Sequence, residues 1–198
     1  DFNIKDMEKR IYSLRHERQI IIGYLGTFGL ANNVEYLLLL YKELKRYNLN
    51  IKFIICGSGT YWKSIYEKSS MYENSFVVLP KCSFTEALNL QKKFDISFSS
   101  SALVKNIEKS SQNKFFQGLA SGSISFINYG GWQSRAINKN KCGLVLDYDI
   151  PKSAKLVRNL LLNKELLVEY SFNARKLAEK EFSRQVLCAK ISKAISEL

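Results

Sequence analysis

The chain has 198 residues, 46% of them hydrophobic and 24% charged, which suits one ordinary domain with a real core. No apolar run reaches membrane-spanning length and no signal peptide opens the chain, so a spanning segment is excluded. Thirty basic against 18 acidic residues leave a net charge of +12, which points to nucleic acid, an anionic membrane surface or a phosphorylated ligand, or simply to solubility.

Residues 1–18 are polar and read as a lead-in helix or linker. The start at Asp1, without methionine, suggests processing or a fragment of something longer. His16 lies in the charged run Arg15-His-Glu-Arg18, reads as solvated and gives no basis for histidine catalysis. The pattern then changes. A continuous apolar run over 19–25 predicts a strand, followed by glycines and a helix over 33–47. A second strand over 51–56 ends at Gly57-Ser-Gly59 and precedes a helix over 60–71. The series continues with a strand over 75–80, a helix over 83–93, a strand over 95–98, a helical unit over 110–122 and a strand over 123–128. A short helix over 131–138 and a short strand over 143–146 complete it. After Pro151 apolar periodicity predicts helices over 154–162, 166–182 and 186–198. Strands buried on both faces and alternating with helices mean an α/β fold: a doubly wound, Rossmann-like parallel sheet over 19–198 with C-terminal helices.

The lysines are dispersed, and neither a basic arm nor a nucleic-acid module is present, so nucleic acid is set aside as a partner. A basic surface near anionic lipid, with local phosphate binding, fits the charge. Cys56, Cys82, Cys142 and Cys188 match no zinc ribbon and no Cys-x-x-Cys pair. Cys56 and Cys188 read as small core hydrophobes, and the setting as reducing and cytoplasmic. No metal site is expected.

The segment 110–122 carries the most chemistry. It opens with residues able to cap a helix, places Phe115 and Leu119 on an inward face beside Phe116 and Ala120, and puts Lys114 and Gln117 on another. Gly122 ends it, as a C-terminal glycine commonly does. A helix start at the carboxyl edge of a parallel sheet is a ready anion site, and this one carries Ser110, Ser111, Asn113 and Lys114. The first loop, Gly23-Tyr-Leu-Gly-Thr-Phe-Gly29, is either a phosphate approach or a structural turn; its glycines fall every third residue, unlike the dinucleotide fingerprint. Gly57-Ser-Gly59 reads as a tight turn, Asp95 as a structural residue capping a neighbouring helix, and Trp132 as pocket wall or core anchor.

Four stretches occur in order: Gly26-Thr-Phe-Gly-Leu-Ala-Asn-Asn33, Phe53-Ile-Ile-Cys-Gly-Ser-Gly59, Lys114-Phe-Phe-Gln-Gly-Leu-Ala-Ser-Gly122, and Gly131-Trp132 through Cys142-Gly-Leu-Val145. Together they resemble the C-terminal, donor-binding half of GT-B glycosyltransferases of the retaining family 4, among bacterial enzymes that build surface polysaccharides. The resemblance implies a nucleotide-sugar donor, a uridine diphosphate sugar ahead of a guanosine one, bound without metal or other cofactor. It implies a missing N-terminal Rossmann-like half as the second wall of the site, and a hexose or N-acetylhexosamine passed to a polysaccharide or lipid-linked acceptor. The diphosphate would lie against Gly26, Thr27, Phe28, Gly29, Ser111, Asn113 and Lys114. Of the family's acidic pair, the ribose-binding member falls on Gln117, and the sugar-binding member on Lys109, with Glu108 one residue away. Lys114 is then the cation left to balance the departing diphosphate, and Glu108 the acid for the sugar. The altered pair also fits another class: a non-catalytic, glycosyltransferase-like partner or scaffold domain.

Overall fold

The computed structural model describes residues 19–197 apart from 73, 104 and 105; the expected lead-in over 1–18, with His16, lies outside the described residues. Each apolar run forms a strand of one sheet: β1 Ile20–Thr27, β2 Ile51–Ser58, β3 Phe76–Pro80, β4 Ile96–Ser99, β5 Ile124–Ile127 and β6 Gly143–Val145. The helices between them are α1 Glu35–Lys45, α2 Trp62–Ser69, α3 Phe84–Lys93, α4 Asn113–Ala120 and α5 Trp132–Asn140, followed by α6 Ile150–Leu161, α7 Lys164–Phe182 and α8 Arg184–Ser196. The strand order is β3-β2-β1-β4-β5-β6 and every pairing is parallel. The predicted doubly wound α/β sheet with C-terminal helices is therefore present. Chain direction across the sheet reverses between β1 and β4, and ligands of open α/β sheets bind outside the carboxyl ends of the strands at such a point.

Burial on both faces explains the strand composition. All four residues of β4 and all four of β5 are buried. One face packs Tyr24, Phe53, Phe76, Phe98 and Phe126 against α1 and α6, the other packs Ile127 and Tyr129 against Phe115, Leu119, Ile137 and Ala174. The helix α4 sits tight on the sheet because Gly118 faces Ser97, whose Cβ would be 2.7 Å from a Cβ placed there. Gly122 closes α4 as expected: its N–H reaches Leu119 O at 2.9 Å, and Ser123 N–H reaches Gly118 O at 3.0 Å, the paired bonds of a Schellman end. The caps of α6 and α7 are Asp149 and Asn163, whose side chains accept from Lys152 and Leu166 N–H.

Several local expectations are corrected. The strands β1 and β2 run through their glycines instead of ending at them, with Gly26 paired to Gly57 and Thr27 to Ser58. Gly23, read both as part of the strand over 19–25 and as the start of the first loop, lies inside β1, and it is glycine because the Phe94 ring lies where a Cβ would stand. Asp95 is the N-cap of none of the described helices: it is fully buried and its Oδ2 accepts from Ile21 N–H at 2.8 Å, tying β1 to the start of β4. Cys188 is exposed on α8 and is not core, whereas Cys56 is buried as expected. Trp132 packs edge-on to Phe115 and donates from Nε1 to Ser110 O at 3.1 Å, so it anchors the core and the loop before α4 together.

Candidate functional site

The loops after β1 and β4 meet at the switch point and are sewn together by serines. Ser100 Oγ donates to Asn32 O at 2.6 Å, Ser101 Oγ to Ala31 O at 3.1 Å, and Ala102 N–H to Ala31 O at 2.9 Å. Behind them the buried Asn128 satisfies Ser101 on both sides, accepting from its N–H at 2.8 Å and donating to its carbonyl at 3.0 Å. Tyr148 adds a third bond, from its hydroxyl to Ser101 O at 2.6 Å. Buried polar networks that are fully satisfied rigidify what they hold. What they hold here is the 3₁₀ turn Leu30–Asn32.

Lys114 reaches into this corner from the first turn of α4. Its Nζ donates to Asn32 Oδ1 at 3.2 Å and lies 5.3 Å from the centroid of the Tyr24 ring. Burial holds its ammonium below the ordinary 10.5. Gly26 makes the room: a Cβ there would sit 2.4 Å from Lys114 Cε. Tyr24 in turn donates to Thr27 O at 2.7 Å, fixing the end of β1 beside the cation.

The start of α4 differs from expectation. Its N-cap is Gln112, which supplies no side-chain cap; Ser110 instead bonds back to Ile107 O at 2.9 Å. The first turn thus keeps its dipole end uncapped by side chains, next to a lysine, which is an anion-binding arrangement. It is held in place from below by Gln133. The Gln133 side chain is buried, accepts from Gln112 N–H at 3.5 Å and from Tyr129 OH at 2.9 Å, and donates to Gln112 O at 3.4 Å. Burial pushes the Tyr129 phenol up to about 12, so at neutral pH it stays a donor.

Of the residues singled out in the sequence, Gly26 and Thr27 end β1, Gly29 follows it, and Asn113 and Lys114 open α4, with the Lys114 side chain against Gly26. Thr27, Ser111, Asn113 and Gln117 are exposed. Phe28 is a correction: its ring is fully buried edge-on to Tyr24, its N–H is bonded to Ser58 O and its carbonyl to Tyr61 N–H. Neither part of it is left to meet a ligand. Glu108 and Lys109 are exposed in the 3₁₀ turn Ile107–Lys109, and Gly131 lets α5 approach the Glu108 backbone, 2.1 Å from where its Cβ would be. Sequence reasoning missed Asn32, Tyr24 and Gln133 as supports. The spacing of 82 residues between Lys114 and Asn32 carries no local signal.

Two cavities open at this end of the sheet. One of about 320 Å³ opens over β1 and β2, lined by Leu25, Thr27, Cys56, Ser58, Lys81 and Cys82. Another of about 360 Å³ opens over β5 and β6, lined by Ile107, Asn128, Tyr129, Asp147, Tyr148 and Lys152. Each has a lysine in its lining, Lys81 in one and Lys152 in the other, which suits an anionic ligand.

No family model matches the chain, and no curated protein matches it. Solved structures do. HepE of Anabaena, in complex with UDP and glucose, is 13% identical, with 99% of this chain and 53% of that chain covered and a TM-score of 0.74. WaaG, a glycosyltransferase involved in lipopolysaccharide biosynthesis, is 14% identical over 91% of this chain and 48% of its own, with a TM-score of 0.67. The C-terminal domain of the group 1 glycosyl transferase LpcC from Francisella tularensis is 13% identical over 92% of this chain and 96% of its own, with a TM-score of 0.67. The chain has the fold of the C-terminal domain of such glycosyltransferases. It spans about half the length of the HepE and WaaG chains it matches.

Proposed function

We propose that this is the nucleotide-sugar-binding domain of a retaining, family 4 type glycosyltransferase, passing a hexose or N-acetylhexosamine to a polysaccharide or lipid-linked acceptor. The observation that carries the reading is Lys114, half-buried at the switch point, beside an uncapped helix start and a glycine that yields space to it. The diphosphate lies along Gly26, Thr27 and Gly29 and against Ser111, Asn113 and Lys114. The nucleoside extends toward the cavity over β1 and β2, with the exposed Gln117 offering its amide to the ribose as donor or acceptor. The sugar lies toward Glu108. As the bond from the anomeric carbon to the diphosphate breaks, negative charge grows on the leaving group, and the ammonium of Lys114 is placed to offset it without a metal.

Complexes of HepE with UDP and with UDP-glucose support a uridine donor ahead of a guanosine one. Coverage of only about half of HepE and WaaG supports a second, N-terminal Rossmann-like half that closes the site and holds the acceptor. The net charge of +12 suits work at the anionic inner face of a cell membrane, from the cytoplasm. Thermal unfolding with UDP, GDP and ADP in turn is the test. A rise in Tm with the uridine or guanosine nucleotide alone is expected; equal shifts with all three, or none, would remove the reading. The exposure of Lys109 and Gln117, where the family places acids, favours one second reading, a non-catalytic partner domain. It predicts a degenerate donor site, with no nucleotide affinity retained and with Lys114→Ala and Gln117→Ala tolerated.

A further inference from the structure

Cys56 and Cys82 are 26 residues apart in sequence, a spacing that suggests nothing, yet their sulfurs are 3.4 Å apart. Cys56 stands near the end of β2, buried, and its thiol donates to Pro80 O at 3.1 Å. Cys82 precedes Ser83, the N-cap of α3, and is half-buried. Both thiols line the cavity over β1 and β2, beside Gly26, Thr27 and Ser58. Two free thiols in contact, one reachable from solvent, in the wall of a cavity, are the makings of a reversible disulfide.

We propose that Cys56 and Cys82 are a redox-sensitive pair, joined by peroxide into a disulfide that draws the loop after β3 against the end of β2 and narrows the cavity. The Cys82 thiolate attacks one peroxide oxygen, the O–O bond breaks, and a sulfenic acid and hydroxide result. The Cys56 sulfur then attacks the sulfenic sulfur, the S–O bond breaks, and the hydroxyl leaves as water with the Cys56 proton. In sum two thiols and hydrogen peroxide give one disulfide and two waters. Burial pushes the Cys56 thiol up to about 12, so it is a poor first nucleophile and suits the resolving role. A dithiol reductant reverses the bond by thiolate exchange. The effect on ligand rests on the nucleotide reading above: the narrowed cavity admits the nucleoside less well.

The test uses the protein with Cys188→Ser, which removes the exposed thiol on α8 that would join two molecules. Treated with hydrogen peroxide, it should lose two titratable thiols, yield a Cys56–Cys82 cross-linked peptide by mass, and regain both thiols with dithiothreitol. Amides of residues 81–87 should exchange more slowly when oxidised, and the Kd for UDP should rise several-fold. Cys82→Ser should abolish all of these changes. An unchanged thiol titre, a cross-link to Cys142, or unchanged exchange over 81–87 in cross-linked protein would overturn the proposal. If the reduced protein binds no nucleotide, the donor-site reading fails, while the cross-link and the exchange data still decide this one.

Discussion

Gly26 and Gly57 face each other across β1 and β2, yet they are glycines for different reasons. A Cβ on Gly57 would lie 1.8 Å from the Gly26 carbonyl oxygen, a backbone atom that cannot yield without breaking the strand pair. A Cβ on Gly26 would meet the end of the Lys114 side chain, which can swing aside. Both backbones lie at positive φ, but Gly57 is closed off by the sheet itself, whereas Gly26 also keeps a cation where an anionic ligand would meet it. Neighbouring positions with the same residue can therefore serve fold and function separately, and mutation should tell them apart.

The largest effect is expected at Gly57. Gly57→Ala should destabilise the protein by about 3 kcal/mol, an overpacking cost with no flexible neighbour to absorb it, read as a lowered urea midpoint. Next comes Lys114→Ala. Loss of a charge-assisted contact of about 2 kcal/mol should weaken UDP binding about 30-fold in a calorimetric titration, with the urea midpoint nearly unchanged. Gly26→Ala should fall between the two kinds of behaviour: its backbone at φ +154 strains any side chain, by about 1–2 kcal/mol, but the clash itself is relieved as Lys114 moves, so the protein folds with a lowered urea midpoint and binds UDP several-fold more weakly. Asn32→Ala should cost the least, about 1 kcal/mol of binding, since it removes one bond that aims Lys114 and not the cation itself. If Gly26→Ala unfolded the protein as Gly57→Ala does, the distinction between the two glycines would collapse.

A pH series sharpens the same point. Burial lowers the Lys114 ammonium from 10.5, so it loses its charge earlier on raising pH than an exposed lysine does. UDP affinity should fall as pH rises through that lowered value. Stability should move the other way, because the unfolded chain still holds the proton between the lowered value and 10.5, and stability rises with pH where the unfolded state binds more protons. Lys114→Met should flatten both trends, which paired titrations and urea melts at alkaline pH would check.

Much of the fold was legible because burial on both faces writes strands as continuous apolar runs and the glycine after α4 marks its end. The Lys114 helix start at the carboxyl edge of the sheet was legible for the same reason, whereas the switch point depends on strand order and was not. The errors came where a partner far along the chain decides the outcome. Phe28 reads as ligand-facing until Ser58 and Tyr61 are seen to take up its backbone. Helical apolar spacing suggested a buried Cys188, but α8 leaves Leu187, Ile191 and Ile195 exposed as well, so its periodicity had no core to report. Asn32 as the support of Lys114, and Cys82 as the neighbour of Cys56, depend on loop ends brought together by the sheet, which no spacing in the chain encodes.

The central claim is that Lys114 at the switch point binds the phosphates of a nucleotide sugar. Calorimetric titration of UDP and GDP into the protein and into Lys114→Ala tests it most directly. Saturable binding of one nucleotide to the protein, UDP before GDP, is expected, weakened about 30-fold in the variant while the Tm is kept. Binding of equal strength in both proteins would contradict it.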